Sequence, residues 1–118
     1  MSEPIRRGDL FMVNWTPGRG SEQMGERPAL IVQNDPFNVN SRFPNTVVAT
    51  VSKSGRDVPT HVPVARTDEN GLWEDLSYVK CEQIMTISKE RLGRRLGRIT
   101  TEEIKQVSMA LKRVLALL

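Results

Sequence analysis

Residues 6–35 read RRGDLFMVNWTPGRGSEQMGERPALIVQND, and this stretch sets the architecture. Its first apolar run, residues 10–15 (LFMVNW), carries apolar side chains on both faces and reads as a strand. Its second, residues 28–33 (PALIVQ), reads as another strand and is closed by the turn formers Asn34, Asp35 and Pro36. Between them lie eleven residues, TPGRGSEQMGE, with three glycines and one proline and no helical or strand period. That loop is long for a hairpin connection.

Working outward, residues 37–44 form a further loop. Residues 46–51 (TVVATV) are β-branched and nearly all apolar, which predicts a third strand buried on both faces. Lys53 to Asp57 (KSGRD) turns the chain into a fourth strand at residues 60–64, where Pro59 and Pro63 point to an edge position. A polar loop, ARTDENG, precedes residues 72–75. Residues 77–87 (SYVKCEQIMTI) read as one strand or as two separated by a bend. Ser88 caps a single helical turn, and residues 94–99 (RRLGRI) give a last short strand. The clearest element follows. Thr100 and Glu103 have the spacing of a capping box, and Ile104, Val107, Leu111, Val114, Leu115 and Leu118 trace one helical face. The expected class is mainly β with helices (α+β): five or six strands in a small curled barrel, with a C-terminal amphipathic helix packed on it. No repeat or linker interrupts the chain, so residues 1–118 are expected to form one domain.

Composition narrows the function classes. Charged residues make up 26% and apolar residues 38%, ordinary values for a globular protein. No apolar run approaches the roughly 20 residues needed to span a bilayer, and MSEPIRRGD lacks an apolar signal core, so a cytoplasmic protein without membrane contact is expected. One cysteine, Cys81, allows no internal disulfide and no cysteine-based zinc cluster. One histidine, His61, argues against a histidine-rich metal site. No metal and no cofactor is expected. The net charge of +3 is spread along the chain rather than concentrated on one element, unlike a dedicated duplex-DNA binder. Mild dispersed charge suits transient contact with phosphates, or with an acidic protein.

Several hydrolytic sites are excluded. There is no G-x-S-x-G elbow, and GRGSEQMGER lacks the Gly-Lys-Ser/Thr ending of a P-loop. Metal-free cleavage of RNA stays open, because the substrate carries its own nucleophile in the 2′-hydroxyl. Such a site needs cationic and hydroxyl groups aimed at one phosphate, and a proton acceptor. Arg27 lies where the glycine-rich loop enters a strand, and its forked guanidinium can grip two phosphate oxygens. Ser52 ends the buried third strand, so its hydroxyl projects at the barrel mouth. If the second and third strands are neighbours, both groups reach one phosphate. From the residues alone, the plainer reading is a surface ion pair for Arg27 and a turn role for Ser52.

A longer pattern changes the weighting. Arg7-Gly8-Asp9 opens the first strand; Gly20-Ser21-Glu22-Gln23 is followed by Gly25-x-Arg27-Pro28. Residues 46–52 (TVVATVS), Pro59-Thr60-His61-Val62, Glu82-Gln83-Ile84 and Arg91-Leu92 follow in order. With these segments the chain resembles the PemK/MazF family of toxin endoribonucleases over nearly its whole length. The resemblance implies an SH3-like small β-barrel of five to seven strands, assembled as a homodimer, that cuts single-stranded RNA. It implies 2′,3′-cyclic phosphate and 5′-hydroxyl ends, the toxin role in a type II toxin–antitoxin pair, and an acidic antitoxin as partner. Arg27 and Ser52 fall on the catalytic positions, the second occupied in the family by threonine or serine. Residues 16–26 resemble the family's mobile lid; Trp15, just before it, and Arg19 within it depart from the commoner patterns, so the resemblance implies no base preference.

Arginine stays protonated, so Arg27 is suited to stabilising charge on the pentacovalent phosphate and not to taking a proton. The general base stays unassigned. Gln23 and Gln83 are candidates for base edges, and Ser21 and Lys53 for phosphates or sugars; each serves equally well as a loop-stabilising residue. Glu22 either orients Arg27 or is exposed. Asp9 is expected to organise the start of the first strand, Trp73 to anchor an interface or the core rather than to serve as a base-stacking platform, His61 to pack or form a dimer contact, and Cys81 to be a small buried hydrophobe. Two rivals use the same fold: a non-enzymatic toxin that inhibits DNA gyrase, with the apolar ending VLALL as its surface, and a catalytically silent RNA-binding relative.

Overall fold

The two apolar runs of residues 6–35 become adjacent antiparallel strands, β1 (Asp9–Asn14) and β2 (Glu26–Ile31), with Leu10 opposite Leu30 and Val13 opposite Arg27. The computed structural model describes residues 3–15 and 25–117. After β2 come a four-residue helix α1 (Asp35–Asn38), then β3 (Asn45–Ser52), β4 (His61–Ala65) and β5 (Leu76–Ser88). A single 3-10 turn (Lys89–Arg91) leads to β6 (Leu92–Arg98) and helix α2 (Thr101–Val114). The six strands form one antiparallel sheet in the order β4-β5-β3-β2-β1-β6.

Helix α1 replaces the start of the expected loop at residues 37–44. The Asn34 side chain accepts the Asp35 N–H at 2.9 Å, and Pro36 sits where its missing N–H costs nothing. Strand β2 begins two residues before the expected position, so Arg27 lies within it. Strand β5 is one continuous element of 13 residues. Its register on β3 jumps from Ala49–Ile84 to Thr50–Lys80, so Cys81, Glu82 and Gln83 occupy a bulge that bends the sheet.

The alternation of β1, β2 and β3 splits the apolar residues between two clusters, which is why these strands read as apolar on both faces. Leu10, Leu30, Ala49 and Val51 join Val62, Val64, Val79 and the α2 residues Val107 and Ala110 in the larger core. Phe11, Val13, Ala29, Ile31 and Val48 form the second cluster on the opposite face, with Trp15 and Ile87. Helix α2 is held by its capping box: Glu103 N–H donates to Thr100 Oγ1 at 3.0 Å, and Thr100 N–H to Glu103 Oε1 at 2.8 Å. Ile104, Leu111 and Val114 pack inward, whereas Leu115 lies outside the stripe at half exposure and Leu118 lies outside the described residues.

Among the described residues the sheet is not closed by strand pairing; in this barrel-like fold a loop bridges its two edges. Edge strands β4 and β6 share no ladder among the described residues, but residues 66–75 fold from the end of β4 onto β6. There Arg98 N–H donates to the Glu69 carbonyl at 2.8 Å. Gly71, at φ +68, lies so close to the Leu96 carbonyl that a Cβ would collide with it. Buried Asn70 staples this loop, accepting the N–H groups of Thr67 and Leu72 and donating to the Ala65 carbonyl at 2.9 Å. At the start of β1, Asp9 accepts from Arg95 at 2.6 Å and from Arg98 at 2.7 Å, fastening β1 to β6. Among the described residues no helix is long and apolar enough to cross a membrane.

Candidate active site

At the end of the sheet where β2 begins and β3 finishes, a cleft of about 510 Å³ opens between the strand ends and residues 72–74. Arg27, Ser52, Lys53, Ser54, Trp73 and Glu74 line it. The β2–β3 ladder pairs Ala29 with Thr50 and stops before Pro28, which has no N–H to extend it. Continued by two residues, the same register sets Arg27 opposite Ser52. Alternation puts both on the face of Ala29, Ile31 and Val48. The condition set by the sequence, that these strands be neighbours, is met.

Arg27 is exposed, and Nη1 donates to the Glu26 carbonyl at 2.9 Å. Among the described residues it has no ion pair. Ser52 is half-buried; its Oγ accepts the Ser54 N–H at 3.1 Å and lies 2.9 Å from Ser54 Oγ. Lys53 Nζ stands 3.9 Å from the Glu74 carboxylate, with its side chain largely in solvent. The cleft thus offers a planar cation, two serine hydroxyls and an exposed ammonium around one space. That donor set is suited to an anion with several acceptor oxygens.

A family model described as the PemK-like, MazF-like toxin of type II toxin–antitoxin systems matches residues 6–115. The chain belongs to this toxin family. The endoribonuclease MazF9 of Mycobacterium tuberculosis is 38% identical over 112 residues, covering 92% of this chain and 93% of that protein. Among solved structures, an endoribonuclease from a mycobacterial species in complex with its cognate antitoxin superposes with a TM-score of 0.76. It is 26% identical and 97% of each chain is covered. MazF from Deinococcus radiodurans gives a TM-score of 0.80 at 21% identity, over 98% of this chain and 99% of that one, a likeness of fold.

Other sequence candidates of this PemK/MazF-family chain fall elsewhere. Gln83 sits in the β5 bulge, where its Oε1 accepts the Thr50 hydroxyl at 3.0 Å. Thr50 precedes Ser52 by two residues, so Gln83 lies one row inward from the cleft, about 7 Å along the strand. Ser21, Gln23 and Glu22, and the lid assignment for the 16–26 loop apart from its last two residues, lie outside the described residues. Trp73 is no core anchor: it stands 49% exposed on the cleft rim, above buried Leu72. His61 is packed away from the cleft. Its Nδ1 accepts the Arg56 N–H at 3.1 Å, which leaves the proton on Nε2 to donate to Glu82 at 2.7 Å. Partial burial pushes the Glu82 carboxyl up, but the His61 hydrogen bond leads a set of contacts that hold it below its ordinary value of 4.5. Burial, and then the Glu82 charge, push the Cys81 thiol up to about 12, as befits an inert buried residue.

Three cleft residues escaped the sequence reading as site members. Ser54 had only an indirect signal, since a serine such as Ser52 commonly bonds the backbone N–H two residues on, whatever residue stands there. Trp73 had the weak signal of an aromatic residue, outweighed by an anchor role, and Glu74 had none; both reach the cleft from the loop that bridges the sheet's edges.

Proposed function

We propose that this chain is the endoribonuclease toxin of a type II toxin–antitoxin pair and cuts single-stranded RNA at the Arg27–Ser52 cleft. The observation that supports this reading is that Arg27 and Ser52, carried on neighbouring strands, line one open cleft. The RNA 2′-hydroxyl attacks the adjacent phosphorus and the 5′-oxygen leaves, giving a 2′,3′-cyclic phosphate and a 5′-hydroxyl end. Arg27 grips two non-bridging oxygens and stabilises the charge that grows on them. The Ser52 hydroxyl donates to the same phosphate. No metal ion takes part. Lys53 meets a neighbouring phosphate, and Ser21, Gln23 and Gln83 contact RNA around it. Trp73 offers a half-exposed aromatic face on which a base beside the reacting phosphate stacks. The toxin works in the cytoplasm as a homodimer. Its net charge of +3 suits both an RNA backbone and an acidic antitoxin that covers the same cleft.

The test is cleavage of a long single-stranded RNA by purified protein in excess EDTA, beside Arg27→Ala and Ser52→Ala. The expected result is discrete fragments with 5′-hydroxyl ends from the wild type, and a large loss in both variants. RNA left intact by folded wild-type protein overturns the reading.

A further inference from the structure

Ser52 is a serine, without the β-methyl that would restrict its χ1 angle, and it stands half-buried at a strand end. A hydroxyl with three open rotamers is a poor fixed donor unless something holds it. Ser54 does so twice. Its backbone N–H donates to Ser52 Oγ at 3.1 Å, and its own Oγ lies 2.9 Å from the same atom.

A serine oxygen has two lone pairs and one proton. The Ser54 N–H occupies one lone pair. When the Ser54 hydroxyl donates to the other, both acceptor sites of Ser52 are filled and its proton has to point elsewhere, into the cleft. In the reverse arrangement Ser52 gives its proton to Ser54 and has none for a ligand. A phosphate oxygen only accepts, so a phosphate held by Arg27 selects the first arrangement.

Resting on the ribonuclease reading, we propose that Ser54 is a positioning residue that clamps Ser52 as a hydrogen-bond donor to the reacting phosphate, supplying the rotamer restriction that a β-methyl would otherwise give. Ser52 then makes no net proton transfer. It strengthens its bond as charge develops on the phosphate, and Ser54 acts only through it. The clamp is solvent-exposed in the free protein and gains strength once RNA covers the cleft.

The experiment measures kcat and KM for RNA cleavage by wild type, Ser54→Ala, Ser54→Thr, Ser52→Thr and the double variant S52T/S54A. Ser54→Ala keeps the backbone bond and loses the hydroxyl, so kcat is expected to fall about tenfold with KM nearly unchanged. Ser54→Thr retains the hydroxyl and stays near wild type. In the Ser52→Thr background the β-methyl takes over the restriction, so adding Ser54→Ala is expected to cost less than about twofold. The pH–rate profile of Ser54→Ala keeps the wild-type shape. Equal activity of wild type and Ser54→Ala, the same loss in both backgrounds, or a displaced pH profile overturns the proposal while the ribonuclease reading stands. An inactive wild type overturns that reading instead.

Discussion

The two ends of the β1–β2 hairpin use arginine in opposite ways. At the start of β1 the Asp9 carboxylate, its side chain 5% exposed, takes Arg95, Arg98 and the Arg6 N–H. Arg95 also lies 4.6 Å over the Phe11 ring and donates to the Glu3 carbonyl at 3.1 Å. Every contact there joins chain segments together. At the other end Arg27 leans on its neighbour's carbonyl and faces the cleft. The same side chain fastens the barrel where a buried carboxylate saturates it, and faces the cleft where no carboxylate among the described residues pairs with it. Partner count, and not residue type, separates architecture from the candidate site.

That contrast breaks if Arg27→Ala destabilises the fold. The expected result is a thermal midpoint close to wild type, with cleavage lowered about a hundredfold or more, as for loss of a group that stabilises transition-state charge. The converse variant is Asp9→Asn. It leaves Arg95 and Arg98 without their carboxylate, and a loss of about 2–3 kcal/mol in urea unfolding is expected, at the low side for a buried pair because both arginines are partly solvated. Cleavage per folded molecule stays at the wild-type level. A variant that kept its stability and lost activity would reverse the assignment of the two ends.

A third test asks how far the candidate site extends. Trp73→Ala is expected to weaken binding of a non-cleavable RNA by about 1–2 kcal/mol, with Trp73→Phe keeping most of the affinity. Weaker self-association with unchanged RNA affinity would make Trp73 an interface residue. The smallest effect belongs to Glu82. Its carboxyl is held low in the fold, so its stabilisation is present above the unfolded value and fades as pH falls through the folded one. Glu82→Gln is expected to be less stable than wild type by about 0.5 kcal/mol at neutral pH, since the carboxylate is partly exposed. Thermal melts should show that gap closing below pH 4.5. A gap that widens there would mean that the His61 contact is not what lowers the carboxyl.

Much of this was legible in the residues. The strands, the capping box at Thr100 and Glu103, the edge position of β4 and the neighbourhood of Arg27 and Ser52 follow from patterns spanning a few residues, or from one loop joining two strands. Helix α1 was not, because Asn34, Asp35 and Pro36 suit a turn as well as a cap, and four residues give no period to detect. The β5 bulge was visible only as an ambiguity between one strand and two. Its place, and with it the bond between Thr50 and Gln83, depends on register against β3.

Sequence by itself determined the class, the apolar faces, the helix and its cap, and the motif that marks the toxin family. These are encoded locally, by side-chain period and by backbone groups a residue or two away. The tertiary structure alone decided which arginines are saturated, since Arg95 and Arg98 reach Asp9 across 86 and 89 positions. It also decided that, among the described residues, a loop and not a ladder bridges the sheet's edges, and that this loop delivers Trp73 and Glu74 to the cleft. Such long-range contacts arise from packing two edges of a twisted sheet against each other, and no short stretch of sequence carries that information.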